Sequence, residues 1–202
     1  MIAIIDYGAG NLRSVRNTFT FLGADVFTAS QPEQLKGADK IVLPGVGAFG
    51  AGMKALRDAG FEEPIKAAVA AGVPLLGICL GMQYLFETSA EMGLHQGLGL
   101  LPGRVVRFAA DGPKVPHMGW NQLHIRRDNA LLNGVPDGGY AYFVHSYYVQ
   151  ADEANDVLAT TDYGIEYASV VGRGNILGIQ PHPEKSQSVG QQILRNFVEM
   201  KA

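Results

Sequence analysis

Three times in the first half of the chain, a short run of Ile, Val or Leu stops at a glycine or a Pro-Gly loop and gives way to apolar residues at helical spacing. Runs that are apolar at every position suit parallel strands buried on both faces, because crossover helices then cover each side. Ile2-Ala3-Ile4-Ile5 breaks at Asp6-Tyr7-Gly8-Ala9-Gly10, after which Leu12, Val15, Phe19 and Leu22 trace one helix face and Gly23 ends it. Lys40-Ile41-Val42-Leu43 runs into Pro44-Gly45-Val46-Gly47 ahead of a helical pattern over 53–59. Pro74-Leu75-Leu76-Gly77-Ile78 leads into Cys79 and a helix expected over 80–87. Ser30-Gln31-Pro32-Glu33 has the capping-box form and predicts one more helix start between the first two units. Such alternation predicts an α/β fold, an open and mostly parallel sheet with helices on both faces.

From about residue 104 the rhythm changes to short strands joined by polar turns: Val105-Val106-Arg107-Phe108, Tyr142-Phe143-Val144, Val157-Leu158-Ala159, Ser169-Val170-Val171 and Ile176-Leu177-Gly178-Ile179. These predict antiparallel additions to the same sheet, and the pattern over 191–200 predicts a closing helix. At 202 residues and 47% hydrophobic, the chain is long enough for one sizeable core. No repeat or linker divides it, so a single domain over 1–202 is expected.

A net charge of -3 with 17% charged residues leaves no basic stripe for a phosphate backbone, which argues against nucleic acid. The apolar opening lacks a positive flank and meets Asp6 at once, so it does not read as a signal peptide. The uncharged stretch 67–86 approaches the ~20 residues of a membrane span, but Gly72, Pro74 and Gln83 interrupt it. A helix followed by a buried strand is expected there, and a cytoplasmic location without membrane contact. One cysteine excludes an internal disulfide and a cysteine-rich metal site.

That cysteine lies in Gly77-Ile78-Cys79-Leu80-Gly81, between two glycines at a strand-to-helix junction, the form of a nucleophile elbow with cysteine in the serine position. The sharp turn exposes the side chain, and a helix beginning at Leu80 is expected to aim its amides at the sulfur and favour the thiolate. Free cysteines are more often small buried hydrophobes. A second motif weighs against that reading. After Asn175-Ile176-Leu177-Gly178-Ile179-Gln180 comes Pro181-His182-Pro183-Glu184-Lys185-Ser186, whose prolines are expected to hold the backbone extended. Residues two apart then share a side, which places Glu184 to orient His182. A base held by a third group is how such nucleophiles are activated. Alone, His182 would read as a hydrogen-bonded loop histidine and Glu184 as a solvated acid.

Metal and cofactor readings fall away. A zinc deaminase needs Pro-Cys-x-x-Cys beside its His-x-Glu, and this chain lacks it. None of His95, His117, His124 and His145 forms His-Glu-x-x-His. Gly8-Ala9-Gly10-Asn11-Leu12-Arg13 imitates a dinucleotide fingerprint, but Arg13 stands where a small residue must pack. No metal and no cofactor are expected.

Pro44-Gly45-Val46-Gly47, Gly77-Ile78-Cys79-Leu80-Gly81-Met82-Gln83 and Gln180-Pro181-His182-Pro183-Glu184-Lys185-Ser186 together resemble the class I glutamine amidotransferase family, in the family's order and across nearly the whole chain. The resemblance implies a Cys79-His182-Glu184 triad that hydrolyses glutamine to glutamate and ammonia. Pro181 departs from the Phe or Val usual before the active histidine. An oxyanion hole is implied at the Leu80 N-H and a peptide of the Val46-Gly47 loop. Glutamine is expected against Gln83, Glu91, whose carboxylate would meet its α-ammonium, and the backbone of His145, Ser146 and Tyr147. Asp6-Tyr7-Gly8-Ala9-Gly10-Asn11, His117-Met118-Gly119-Trp120-Asn121 and Phe143-Val144-His145-Ser146-Tyr147 resemble the branch of the family that serves histidine biosynthesis. This implies a heterodimer with a cyclase subunit, a (β/α)8 barrel, touching Asn11, Trp120 and Lys185. The glutaminases of pyridoxal phosphate synthase and anthranilate synthase are the rivals within the family. A non-catalytic binding module on the same fold is the rival outside it.

Overall fold

The structure, a computed structural model, describes residues 1–200. Its first half runs β1 (Ile2–Ile5), α1 (Leu12–Phe21), β2 (Val26–Ala29), β3 (Lys40–Gly45), α2 (Phe49–Asp58), α3 (Glu62–Ala70), β4 (Leu75–Cys79) and α4 (Leu80–Gln83). Then follow β5 (Phe86–Ser89), β6 (His95–Gln96), β7 (Leu101–Arg107), β8 (His117–Ile125), β9 (Gly139–His145) and β10 (Tyr147–Ala151). β11 (Val157–Asp162), β12 (Glu166–Arg173), β13 (Ile176–Ile179) and α5 (Gln187–Glu199) complete the order.

Every residue of β1, β3, β4 and β13 is buried, so these strands have no solvent face. Alternation along β1 shows what covers them. Ile2 and Ile4 pack in one cluster with Val15 and Phe19 of α1 and Phe197 of α5. Ala3 and Ile5 pack on the other face with Phe49 and Met53 of α2 and Ile65 of α3. Helices therefore lie on both faces, as the apolar runs require. The uncharged stretch 67–86 resolves into the end of α3 and then β4. No helix among the described residues is long and apolar enough to cross a membrane.

Strand order in the sheet is β2-β1-β3-β4-β13-β12-β10-β7-β5-β6, and the first five are mutually parallel. Antiparallel β12, β10 and β7 extend it, and β8 and β9 form an arm joined through β11. One expected addition behaves differently: Ile176–Ile179 is not only antiparallel to β12 but parallel to β4, with Ile179 opposite Ile78. Its uninterrupted burial is the reason, since a strand without a polar face belongs in the sheet interior.

Two helix expectations also change. The helix expected over 80–87 is a single turn that ends at Gln83, because the next carbonyls are taken by the segment 98–101 that leads into β7. Tyr84 O accepts from Leu98 N-H, and Leu85 O accepts from Leu100 and Leu101 N-H, while Tyr84, Leu85 and Phe86 are wholly buried. Ser30-Gln31-Pro32-Glu33 opens a four-residue 3-10 turn over Pro32–Leu35 rather than an α-helix. Gln34 Oε1 there accepts from the N-H groups of Ser30 and Gln31 at 2.8 and 2.9 Å. α5 starts at Gln187, four residues ahead of the expected 191.

Candidate active site

Parallel pairing of β4 with both β3 and β13 brings three chain segments to one edge, at the strands' carboxyl ends. Cys79 closes β4 with φ 55 and ψ -111, a conformation that costs an L-residue about 1–3 kcal/mol and persists only when its surroundings enforce it. The flanking glycines are part of that enforcement. A Cβ on Gly77 would lie 2.5 Å from Gly81 O, and one on Gly81 would lie 1.8 Å from Leu43 O. The elbow is thus wedged between its own two arms and β3.

Beyond β13 the chain reaches His182, whose N-H donates to Tyr142 O of β9 at 2.9 Å. His182 Nδ1 lies 2.9 Å from Glu184 Oε1, with both side chains almost sealed. The pair meets as the motif predicted but by different local geometry. His182 is extended, and Pro183–Lys185 is a 3-10 turn rather than a continued strand. Glu184 Oε2 is buried without a hydrogen-bond partner, so the carboxylate sits there at a desolvation cost and serves His182 through one oxygen only. Ser186, not singled out in the sequence, ties the turn down. Its hydroxyl donates to His182 O at 2.6 Å and accepts from Tyr142 N-H at 2.9 Å. α5 closes over the turn so tightly that a Cβ on Gly190 would lie 2.0 Å from Pro183 O.

Electrostatics link the two segments. Burial works to lower the His182 pKa, but hydrogen bonds to Cys79 and Glu184 and their negative charge outweigh it and push it up to about 10. His182 is therefore an imidazolium at neutral pH, the partner a thiolate requires. Because α4 is only one turn long, its dipole is weaker support for the sulfur than a full helix would give.

Cys79 and His182 open into a cavity of about 350 Å³ also lined by Val46, Gly47, Leu80, Gln83, Glu91, His145, Ser146 and Tyr147. Each residue expected at the oxyanion hole or around glutamine reaches this one space. Glu91 does more than line it, since its Oε2 accepts from Phe49 N-H at 2.6 Å and caps the start of α2. At the other end of the same loop, the Tyr7 hydroxyl donates to Pro44 O at 3.0 Å, and burial pushes its pKa up to about 12. Val46 and Gly47 lie between these clamps, with Gly47 at φ 98 and Val46 exposed. Tyr7 was legible only as a member of the opening motif.

Trp120 and Lys185 lie outside the cavity on one patch, joined through Tyr142. Trp120 meets the Tyr142 ring edge-on at 5.9 Å, and Lys185 Nζ stands 5.8 Å from its centroid. Met118, Trp120 and Tyr140 are large exposed apolar side chains on the β8–β9 arm. Asn11 is half-buried ahead of α1, which packs on the Pro183–Lys185 turn. Behind the arm, His117 Nδ1 lies 3.1 Å from the Tyr167 hydroxyl, which lies 3.1 Å from His145 Nε2, and His145 Nδ1 donates to Tyr147 O at 2.8 Å. Burial holds both rings neutral, lowering His117 to about 4 and His145 to about 3.

The class-I glutamine amidotransferase model matches residues 3–200. Imidazole glycerol phosphate synthase subunit HisH of Desulfitobacterium hafniense is 52% identical over 98% of this chain and 93% of its own. The subunit of the same name from Syntrophotalea carbinolica is 52% identical over 99% and 100%, and that from Geobacter metallireducens 50% identical over 100% and 99%. Among solved structures, a crystal structure of a glutamine amidotransferase aligns with TM-score 0.78 at 21% identity over 98% of both chains. PurLQS from Thermotoga maritima aligns with TM-score 0.78 at 18% identity over 98% of this chain and 96% of that one. With the elbow, the held histidine and the loop opposite them all within the matched span, the chain belongs to the class-I glutamine amidotransferase family.

Proposed function

We propose that the chain is the glutaminase subunit of an imidazole glycerol phosphate synthase, acting as one amidotransferase domain in the cytoplasm. One observation carries the chemistry: a cysteine on a left-handed elbow shares its cavity with a histidine whose other nitrogen is held by a buried carboxylate. The Cys79 thiolate attacks the side-chain amide carbon of glutamine, and the negative charge moves to the carbonyl oxygen. Donors from Leu80 N-H and a peptide of the Val46-Gly47 loop receive it, each contributing about 3 kcal/mol to the transition state. His182 gives its proton to the amide nitrogen, the C-N bond breaks and ammonia leaves a γ-glutamyl thioester. His182, now neutral, takes a proton from water as the water cleaves the thioester, and glutamate and thiolate return. Glu91, with one oxygen on α2, keeps the other for the α-ammonium, and Gln83 and the 145–147 backbone fix the rest of the substrate.

Relatives at about 50% identity over essentially the full chain support the assignment to this synthase. The partner is then a cyclase subunit with a (β/α)8 barrel that consumes the ammonia on a phosphoribosyl-bearing intermediate. The exposed Met118, Trp120 and Tyr140 with Lys185 supply an apolar, singly charged patch fitting such a contact, and Asn11 extends it. The test is glutamate release by the chain alone, with the barrel subunit, and with that subunit plus its ribotide ligand. Turnover should be low alone and rise strongly in the complete mixture. Equal rates in all three would remove the partner from the reading.

A further inference from the structure

The support that α4 is too short to give the sulfur has another source in the structure. Gln180, the residue after β13, has a side chain with no exposed surface, and its Nε2 lies 3.7 Å from Cys79 Sγ. Amide nitrogen and oxygen are easily interchanged, so the direction of this contact must be established from its neighbours. It can be. Tyr147 O is a backbone carbonyl and only accepts, so the Gln83 atom 3.0 Å from it is Nε2. That same Nε2 lies 3.0 Å from the Gln180 side chain, which must there present Oε1. The other end of the Gln180 amide, facing the sulfur, is therefore Nε2 with its protons. Gln180 N-H also donates to Ser169 O at 2.8 Å, which anchors the residue on β12.

The geometry points to Gln180 as a second hydrogen-bond donor to the Cys79 sulfur, complementary to His182. A donor aimed at an anion favours the charged form. Unlike His182, an amide does not titrate or give up its proton, so it stays in place as a donor while the sulfur is held in the thioester. The contact returns at the end of the cycle, when the thioester is cleaved and the sulfur regains its charge. Gln83 is drawn in as the group that fixes the amide's direction: both its Nε2 protons are taken by Tyr147 O and Gln180 Oε1, which leaves its Oε1 for the substrate.

This inference rests on reading Cys79 as the nucleophile, and its test needs no substrate. Cys79 is the only cysteine in the chain, so iodoacetamide alkylation reports it without background. The rate would be followed against pH for the wild-type chain, Gln180→Met and Gln180→Glu, with thermal unfolding of each as the check on folding. Removing the donor should move the midpoint of the alkylation profile upward by about half to one pH unit, and Gln180→Glu, which turns a carboxylate oxygen to the sulfur, should move it further. A structural role alone leaves the midpoint where it is, and an unmoved midpoint in either folded variant overturns the inference. Should neither variant fold, the side-chain amide signal of Gln180 in the wild-type NMR spectrum decides, since it must shift across the alkylation midpoint and overturns the inference if it does not. Failure of the nucleophile reading looks different: glutamine would still be hydrolysed by Cys79→Ala.

Discussion

Ile78 and Ile179 face each other across the parallel seam of β4 and β13 as its last register pair. One residue past Ile78 the backbone turns at Cys79, and three past Ile179 it reaches His182. The seam therefore sets nucleophile and base side by side through backbone hydrogen bonds, and Glu184 fixes the ring's orientation and supports its charge.

Graded losses of glutaminase activity follow. Cys79→Ala should lower turnover by about four orders of magnitude or more while changing stability by less than about 1 kcal/mol, because little volume is lost. His182→Ala should approach that loss. Glu184→Gln should cost less than His182→Ala, since the base survives without its electrostatic support. Single-turnover glutamate release at saturating glutamine measures all three, and a Glu184→Gln loss equal to that of His182→Ala would remove the orienting role.

The loop between the Tyr7 and Glu91 clamps offers one switchable donor. Val46→Pro removes its N-H and stiffens the loop without touching the triad. The rate stimulated by partner and ribotide should fall by about a hundredfold, with the unstimulated rate nearly unchanged. An undiminished stimulated rate would assign the oxyanion to other donors.

Acid should destabilise the chain through His117 and His145. Their folded values are depressed to about 4 and about 3 from the ordinary 6.5, so the unfolded chain takes up protons first. Their contribution is complete above 6.5 and drains away as pH falls from there through the folded values. His182, raised to about 10, contributes fully below 6.5 and loses its share from there as pH rises through about 10; both chains carry it, so it cancels in the comparison between them. Urea unfolding at about pH 7.5 and about pH 5 should show a steeper loss for the wild-type chain than for His145→Gln, by at most about 1.4 kcal/mol per pH unit. Parallel losses in the two chains would mean that His145 is not buried neutral.

Ser186→Ala would leave Tyr142 N-H without its partner and take from the His182 carbonyl one of its two donors, the other being Lys185 N-H. A stability loss of about 1–3 kcal/mol is expected from the orphaned buried donor. Turnover should fall about tenfold with KM little changed, because the ring loses its position rather than the cavity its shape. Denaturant titration and steady-state kinetics on the same preparation separate the two effects.

What the residues revealed in advance was local. Gly77 and Gly81 announce a close-packed elbow because no other residue fits there, and unbroken apolar runs announce interior strands. Ile176–Ile179 does pair antiparallel with β12 as expected, but its parallel pairing with β4 was not legible, because direction is set by the neighbouring strand, which short apolar sequence does not encode. The helix expected over 80–87 failed because Tyr84, Leu85 and Phe86 fit a buried strand entry as well as a helix. Gln180 and Ser186 carry no signal of their own; their contacts join segments far apart in the chain, and only the register of β13 and the turn after it bring them into place.

The seam between β4 and β13 also bears on the order in which the molecule comes to life. Gln180 and Cys79 are 101 residues apart, and β13 must slot between β4 and β12 rather than add to an outer edge. Contacts so distant along the polypeptide form late and slowly, since loop closure must precede any gain from them. On a ribosome, the elbow would emerge long before its histidine. A nascent or half-folded chain thus carries the cysteine without the base that arms it, and glutamine is spared until the last strand has closed the sheet.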